Sequence, residues 1–386
     1  MEEKESMRKI ISLAVAMAVI VVACGGAETD AQALADGCTD GETDGVLNLY
    51  NWTEYTPTGP LAEEFEVTDF LLKFEDDFGV DVVLTEYESN EAMLAQIDAG
   101  ASYDLIVPSD YMVSIMRGAD LLVKLNQSAL PNMPNIDPTF TDLPYDPGNQ
   151  FSVPYQWGTT GIGFNYDLID DTDGVSWGVI FDVEQTAAYA GKISFLDDER
   201  ETMGAALKYL GYSLNSTSQA EIDEAAALIK EAKANIAAFT SAGYEDLLVT
   251  GDTDVAMGWN GDFLAAYDSA STDDFDAYEQ FGYAIPIEGA AAWVDTMAIP
   301  VTAEHPCTAH AFINMVLDPF MGAELTHYNY YASPNLASQE FIYPEILEDP
   351  SIYPPQEMLE DGTLEFFADL GDFGVNLSDA YAGAKS

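Results

Sequence analysis

Val46-Leu47-Asn48-Leu49-Tyr50-Asn51-Trp52-Thr53-Glu54-Tyr55 is an apolar run that breaks into polar and aromatic residues. The same pattern recurs at Tyr103-Asp104-Leu105-Ile106-Val107-Pro108-Ser109-Asp110-Tyr111. Short apolar runs of this kind read as strands buried on both faces, as in a parallel sheet. Between them, 61–78 and 90–99 carry helical spacing, and 80–84 is another strand-like run. Residues 46–107 therefore read strand, helix, strand, helix, strand, which is the parallel α/β pattern. The polar-aromatic segments then fall at strand ends, where open α/β sheets place their ligands.

A second α/β unit follows. A strand over 192–196 runs into Asp197-Asp198-Glu199-Arg200-Glu201 and a helix to about 210. Ser218 and Glu221 have capping-box spacing at the head of a helix reaching about 234. A strand over 254–259 runs into Trp259-Asn260-Gly261-Asp262 and a helix over 261–267. Residues 281–300 look strand-like, contain Trp293-Val294-Asp295, and lead to helices near 308–317 and 320–330. The Pro-, Asn- and Asp-rich stretch 126–150 reads as a surface crossing. Two α/β units predict two lobes with a ligand cleft between them, against the alternative of one large α/β domain.

The 386 residues carry 68 acidic and 12 basic side chains, a formal net charge of −56. That balance excludes nucleic-acid binding, which needs a basic footprint. It suits a solvated acidic surface in a saline exterior, so a cation site must be argued from position instead. Arg8 and Lys9 precede an apolar run over 10–23 that is shorter than a membrane span requires. Val21-Val22-Ala23-Cys24-Gly25 then resembles a bacterial lipobox, which makes 1–23 a signal peptide and Cys24 the lipidated first residue. Acidic Glu2, Glu3 and Glu5 fit a signal poorly, which allows a start at Met7, and an uncleaved anchor is the competing reading. Residues 24–45 are acidic and glycine-rich without a basic residue, the composition of a flexible tether. In an oxidising compartment the two remaining cysteines, Cys38 and Cys307, are expected to pair. The alternative leaves Cys38 free in the tether. His305-Pro306-Cys307-Thr308-Ala309-His310 lacks a second group of ligands, so no metal is expected there, and no cofactor elsewhere.

No phosphate loop, nucleophile elbow or His-Glu-x-x-His is present. Gly158-Thr159-Thr160-Gly161-Ile162-Gly163 reads as a strand edge or hinge rather than a dinucleotide loop. Paired carboxylates leave a secreted glycosidase open as the rival of a different class. Anion receptors need arginine or lysine, yet the chain has three arginines and only Arg200 stands near a candidate site segment. Trp259 and Trp293 offer flat apolar walls and π faces for an organic cation. Asp295, two residues beyond Trp293 on a strand, faces the same side and calls for a counter-charge. Asp198 and Glu201 share one side of a helix start, where, for Glu201 taken alone, stabilising the helix dipole is an equal explanation. Arg200 is expected to pair with one of them. A sugar or amino-sugar receptor also fits aromatic walls with acids.

Six ordered segments carry a resemblance: Leu49-Tyr50-Asn51-Trp52-Thr53-Glu54-Tyr55, Tyr87-Glu88-Ser89-Asn90-Glu91, Tyr103-Asp104-Leu105-Ile106-Val107-Pro108-Ser109, Pro154-Tyr155-Gln156-Trp157-Gly158, Gly258-Trp259-Asn260-Gly261 and Ser333-Pro334-Asn335-Leu336-Ala337. Over about 46–355 the chain resembles the spermidine/putrescine-binding proteins of ABC transporters. The resemblance implies an α/β, two-lobed type II periplasmic-binding-protein fold, with lobe 1 from 46–159 and 296–340 and lobe 2 from 160–295 and 341–386. It implies a monomeric, non-enzymatic receptor that closes on a polyamine, spermidine before putrescine, and delivers it to a permease. Carried over by motif, Trp52, Thr53, Tyr55, Ser109 and Tyr111 come from the first lobe. Asp198, Glu201, Trp259, Trp293, Asp295 and Tyr331 complete the pocket. Asp262 stands where the family has Ser or Asp, either to grip an amine or to cap a helix. The first helix carries extra residues relative to the family, and the segment after 355 departs from it, with Glu365 as a further pocket candidate.

Overall fold

The computed structural model describes residues 30–170, 174–272 and 274–386. Residues 1–23 and Cys24, read as signal peptide and lipidation site, lie outside the described residues.

Ten strands organise the described residues: β1 Leu47–Trp52, β2 Val82–Tyr87, β3 Leu105–Ile106, β4 Ser152–Asn165, β5 Ile193–Phe195, β6 Ala238–Phe239, β7 Val255–Trp259, β8 Phe281–Ala284, β9 Ala290–Ala298 and β10 Leu364–Phe366. Their hydrogen-bonded order is β2-β1-β3-β9-β4-β7-β5-β6, with β10 beside β9 and β8 beside β4. The strands in β2-β1-β3 and in β7-β5-β6 run parallel, as the strand-helix alternation predicts. Long antiparallel β4 joins the two groups. Its residues Ser152–Thr159 pair with β9, and from Thr160 on it pairs with β7.

The glycine run 158–163 therefore lies in the buried middle of this joining strand, not at an edge. Its glycines are required by aromatic side chains arriving from other elements. A Cβ at Gly158 would stand 2.7 Å from the Trp293 ring, and one at Gly163 would stand 2.4 Å from Phe263.

The stretch 61–78, expected as one helix, is two helices, Gly59–Glu64 and Phe70–Phe78. Glu66 sits at φ 53° in the break, and Glu324 accepts hydrogen bonds from the backbone N–H and hydroxyl of Thr68 just beyond it. Residues 281–300 form two strands, β8 and β9, that each pair antiparallel with β4, rather than one strand. Ser218 takes the N-cap position of the helix Gln219–Ala232 without a side-chain capping bond, and Glu221 accepts from Ser216, so no capping box forms.

The acidic stretch 24–45 departs furthest from expectation. From Asp30 on it is docked, not a free tether. Asp30–Ala35 is a helix with Ala31 and Ala35 buried. Asn126 donates to the carbonyls of Ala35, Asp36 and Cys38. Cys38 is bonded to Cys307, 269 residues away. Asp44 accepts from the backbone N–H groups of Cys307 and Thr308, at the start of the helix Pro306–Val316. Those N–H groups have no partner inside their own helix, so a carboxylate there is stabilised. In the same helix His310 is structural: its ring accepts from the Asn126 backbone N–H and donates to the Pro306 carbonyl.

Candidate functional site

The ends of β1, β3, β5, β7 and the middle of β9 converge on one cleft of about 550 Å³. All twelve ligand-site residues expected from the sequence line it. The cleft wall contains nine carboxylates and a single basic side chain, Arg200.

Asp295 is held at the floor. It lies on β9 opposite Gln156 of β4, with 6% of its surface exposed. Ser109 donates its hydroxyl to Asp295 at 2.6 Å. Ser109 is in turn fixed by Asn90, which also donates to the Tyr111 hydroxyl. Tyr111 donates its hydroxyl to Glu91 at 3.0 Å. Burial raises Asp295 to about 7, although the Ser109 hydrogen bond opposes it. This carboxylate is poised to gain from a cation placed against it.

Two residues earlier on β9, Trp293 stands over Gly158, with its indole N–H buried and without a hydrogen-bond partner. Its ring meets Tyr331 at 5.0 Å edge-on, and Tyr331 meets Tyr55 at 5.6 Å. Trp52, fixed by its N–H to the Val107 carbonyl, approaches Trp259 to 6.2 Å across the cleft. Thr53 follows Trp52, held by its backbone N–H to the Tyr87 carbonyl.

The Trp259-Asn260-Gly261-Asp262 turn shows how one short motif builds a wall. Asn260 is fully buried and stitches the turn to β4 by accepting from the Thr159 N–H. Gly261 lets Tyr331 approach, since a Cβ there would stand 2.6 Å from that ring. Asp262 does not cap its helix. Its two oxygens accept the hydroxyls of Tyr331 and Tyr244, and burial raises its pKa.

Asp198 is the side-chain cap of the helix Glu199–Tyr209, accepting from the backbone N–H groups of Arg200 and Glu201. It also faces the cleft, so both readings of this acid hold together. Glu201 accepts the Trp259 indole N–H at 2.9 Å, and its other oxygen is buried without a partner. Burial first, then the neighbouring carboxylates, push Asp198 up to about 6 and Glu201 up to about 8. Arg200 bonds neither acid. Its guanidinium donates to Asn215 and the Ala368 carbonyl and stacks over Tyr111 and Phe367 at about 5 Å.

Glu365 is outside the cleft, tied to Lys208 and Ser213. Phe367, two residues on, reaches the cleft instead. Sequence reasoning also missed Phe65, Tyr87, Glu245 and Tyr328, which line the cleft. For Tyr87 a signal existed, because it opens one of the segments already singled out.

With this geometry in place, comparison with known proteins decides the family. The pattern described as bacterial extracellular solute-binding protein matches residues 70–353. The chain belongs to that family. The spermidine/putrescine-binding periplasmic protein of Escherichia coli K12 is 34% identical over 92% of this chain and 96% of its own length. A putrescine/cadaverine-binding protein of Pseudomonas aeruginosa is 36% identical over 80% of this chain and 84% of its own. A solved structure named for a spermidine/putrescine ABC transporter of Listeria monocytogenes superposes with a TM-score of 0.78 at 33% identity, covering 89% of this chain and 99% of that one. The fold is the two-lobed, type II solute-binding architecture expected from the sequence.

Proposed function

We propose that this chain is the capture subunit of an ABC importer, taking a linear polyamine between its lobes and passing it to a membrane permease without chemical change. One observation carries the reading. Nine carboxylates and several aromatic faces line the cleft, and its one cation, Arg200, turns a guanidinium nitrogen to Asn215 and Ala368 rather than to any of these acids. Such a wall selects positive charge on an apolar chain. In this reading Asp295 receives one ammonium group, Asp198 and Glu201 another, and Trp259, Trp293 and Tyr331 pack the methylenes. Two or three such contacts at roughly 1.5–3 kcal/mol each and cation–π terms of about 0.5–2 kcal/mol reach the about −8 kcal/mol of micromolar affinity after association costs.

Hinged lobes from 46–159 with 296–340, and from 160–295 with 341–386, complete the proposal. So do export, a lipid anchor on Cys24 and action as a monomer at the outer face of the membrane. Spermidine is favoured over putrescine, since extra carboxylates reward extra amines. The test is calorimetry on the chain from residue 30, which keeps Cys38, against spermidine, putrescine, glucose and glucosamine. Polyamine binding with silent sugars is expected. Sugar binding with silent amines would establish the second reading, a sugar receptor, which the aromatic walls favour. A glycosidase fits less well: Asp198 and Glu201 share one helix turn rather than flanking a bond between them.

Protons follow from the raised carboxylates. An ammonium at Asp295 or Glu201 needs the ionised acid, so binding releases protons wherever the empty site holds them. Affinity should rise as pH increases from about 5 to about 8, the window set by groups at about 6, 7 and 8. In the empty protein the same groups work the other way. Their folded pKa lies above the ordinary carboxylate value of about 4, so the stability they contribute is full in acid and lost as pH climbs through about 8. Melting curves of the empty and spermidine-loaded chain across this range should diverge with pH. Parallel curves would contradict the linkage.

A further inference from the structure

The cleft does not end at the residues assigned above. Besides Asp262 its lining takes in residues of the helices Tyr244–Val249, Asn260–Ala270 and Gly59–Glu64. Val249, Ala265, Ala266 and Ala270, with Leu61 and the adjoining Phe65, make this extension of the lining apolar. Apolar walls pack a methylene chain. Glu245, in the first turn of its helix, puts a carboxylate into the same space. No hydrogen bond or ion pair to another side chain engages that carboxylate, in contrast to Asp262, whose oxygens hold two tyrosine hydroxyls. The charged groups facing Glu245 are Asp262, Asp246 and Glu54, all acidic, and burial with these neighbours raises it to about 8. Half-buried beside apolar lining and among like charges, it is an unengaged acceptor of the cleft among the described residues.

We infer that Glu245 and the alkyl-lined extension leading to it form a specificity subsite for an additional aminoalkyl arm, so that the cleft discriminates tri- and tetraamines from diamines. The inference rests on the polyamine reading and assigns its length preference to one residue. A diamine spans Asp295 to the Asp198–Glu201 pair and leaves the extension to water. A longer amine carries its next ammonium past Asp262 to Glu245. Removing that charge should then cost the longer ligand alone.

The experiment compares the full chain with Glu245→Gln by calorimetry against putrescine, spermidine and spermine, in two buffers of different ionisation heat at about pH 7.5. Wild type should release more protons with the longer amines than with putrescine, because Glu245 must ionise to receive the extra ammonium. The variant should lose about tenfold or more in affinity for the amines that reach the subsite. It should also lose the extra proton release, while putrescine changes by less than about threefold. Glutamine keeps the shape, and an unchanged putrescine isotherm certifies the fold. Equal losses for all three amines, or no loss for any, overturn the subsite while leaving polyamine capture intact. Failure of every amine to bind wild type overturns the polyamine reading itself, and the subsite with it.

Discussion

Asp295→Asn should weaken polyamine binding by about 2–5 kcal/mol, roughly thirtyfold to several thousandfold in Kd, with no matching loss of stability. The asparagine keeps the shape and can still accept the Ser109 hydroxyl through its own oxygen. What disappears is the charge opposite an ammonium in a site where Asp295 is almost fully enclosed. In the empty protein that charge is a cost, because burial raises the group to about 7. The variant should therefore melt at or above the wild-type temperature near neutral pH. Loss of affinity together with unchanged or improved melting separates a binding role from a folding role. Glu201→Gln belongs beside it. Had Arg200 paired with Glu201, the effect would be blunted, but Arg200 turns to Asn215 and Ala368. Glu201 keeps a buried oxygen without a partner, so its loss should approach that of Asp295. Small, equal effects in both variants, measured by calorimetry with spermidine, would place the cation elsewhere.

Much of this site can be read in the sequence because its residues sit where the apolar runs stop. Trp52 and Trp259 close β1 and β7, Ser109 and Asp198 follow β3 and β5 by three residues, and strand ends are a local property. Trp293 and Asp295 were readable for another local reason, the two-residue period of a strand. What escaped depends on partners far away in the chain. Arg200 stands beside two acids in sequence, but stacks on Tyr111 and Phe367 in space. The glycines of β4 look like an edge or hinge until the rings of Trp293 and Phe263 are laid against them. Glu245 lies in Tyr244-Glu245-Asp246-Leu247-Leu248-Val249, which reads as an ordinary amphipathic turn. Its place in the cleft lining depends on residues distant in sequence, Leu61 and Phe65 among them.

The same logic governs the N-terminal segment, and it leads to the second large expected effect. Composition marks 30–45 as too acidic to fold, yet its acids have assigned work, with Asp44 at the head of the helix Pro306–Val316 and Glu42 accepting from Thr39. The bond from Cys38 to Cys307 closes a loop across 269 residues. In the chain-entropy model such a loop stabilises by about 5 kcal/mol, more than any single hydrogen bond of the segment contributes. The double change Cys38→Ser with Cys307→Ser should lower the denaturant midpoint by an amount equivalent to several kcal/mol, with a slope equal or steeper because the uncrosslinked denatured chain exposes more surface. It should leave spermidine affinity within about threefold, because neither cysteine lines the cleft. Alkylation of the unreduced wild-type chain supplies the covalent check, since a bridged pair takes up no label at either cysteine. Two labelled thiols in the native protein would remove the bridge. An unchanged midpoint in the double variant would show that Asp44, Asn126 and the buried alanines hold the segment without it.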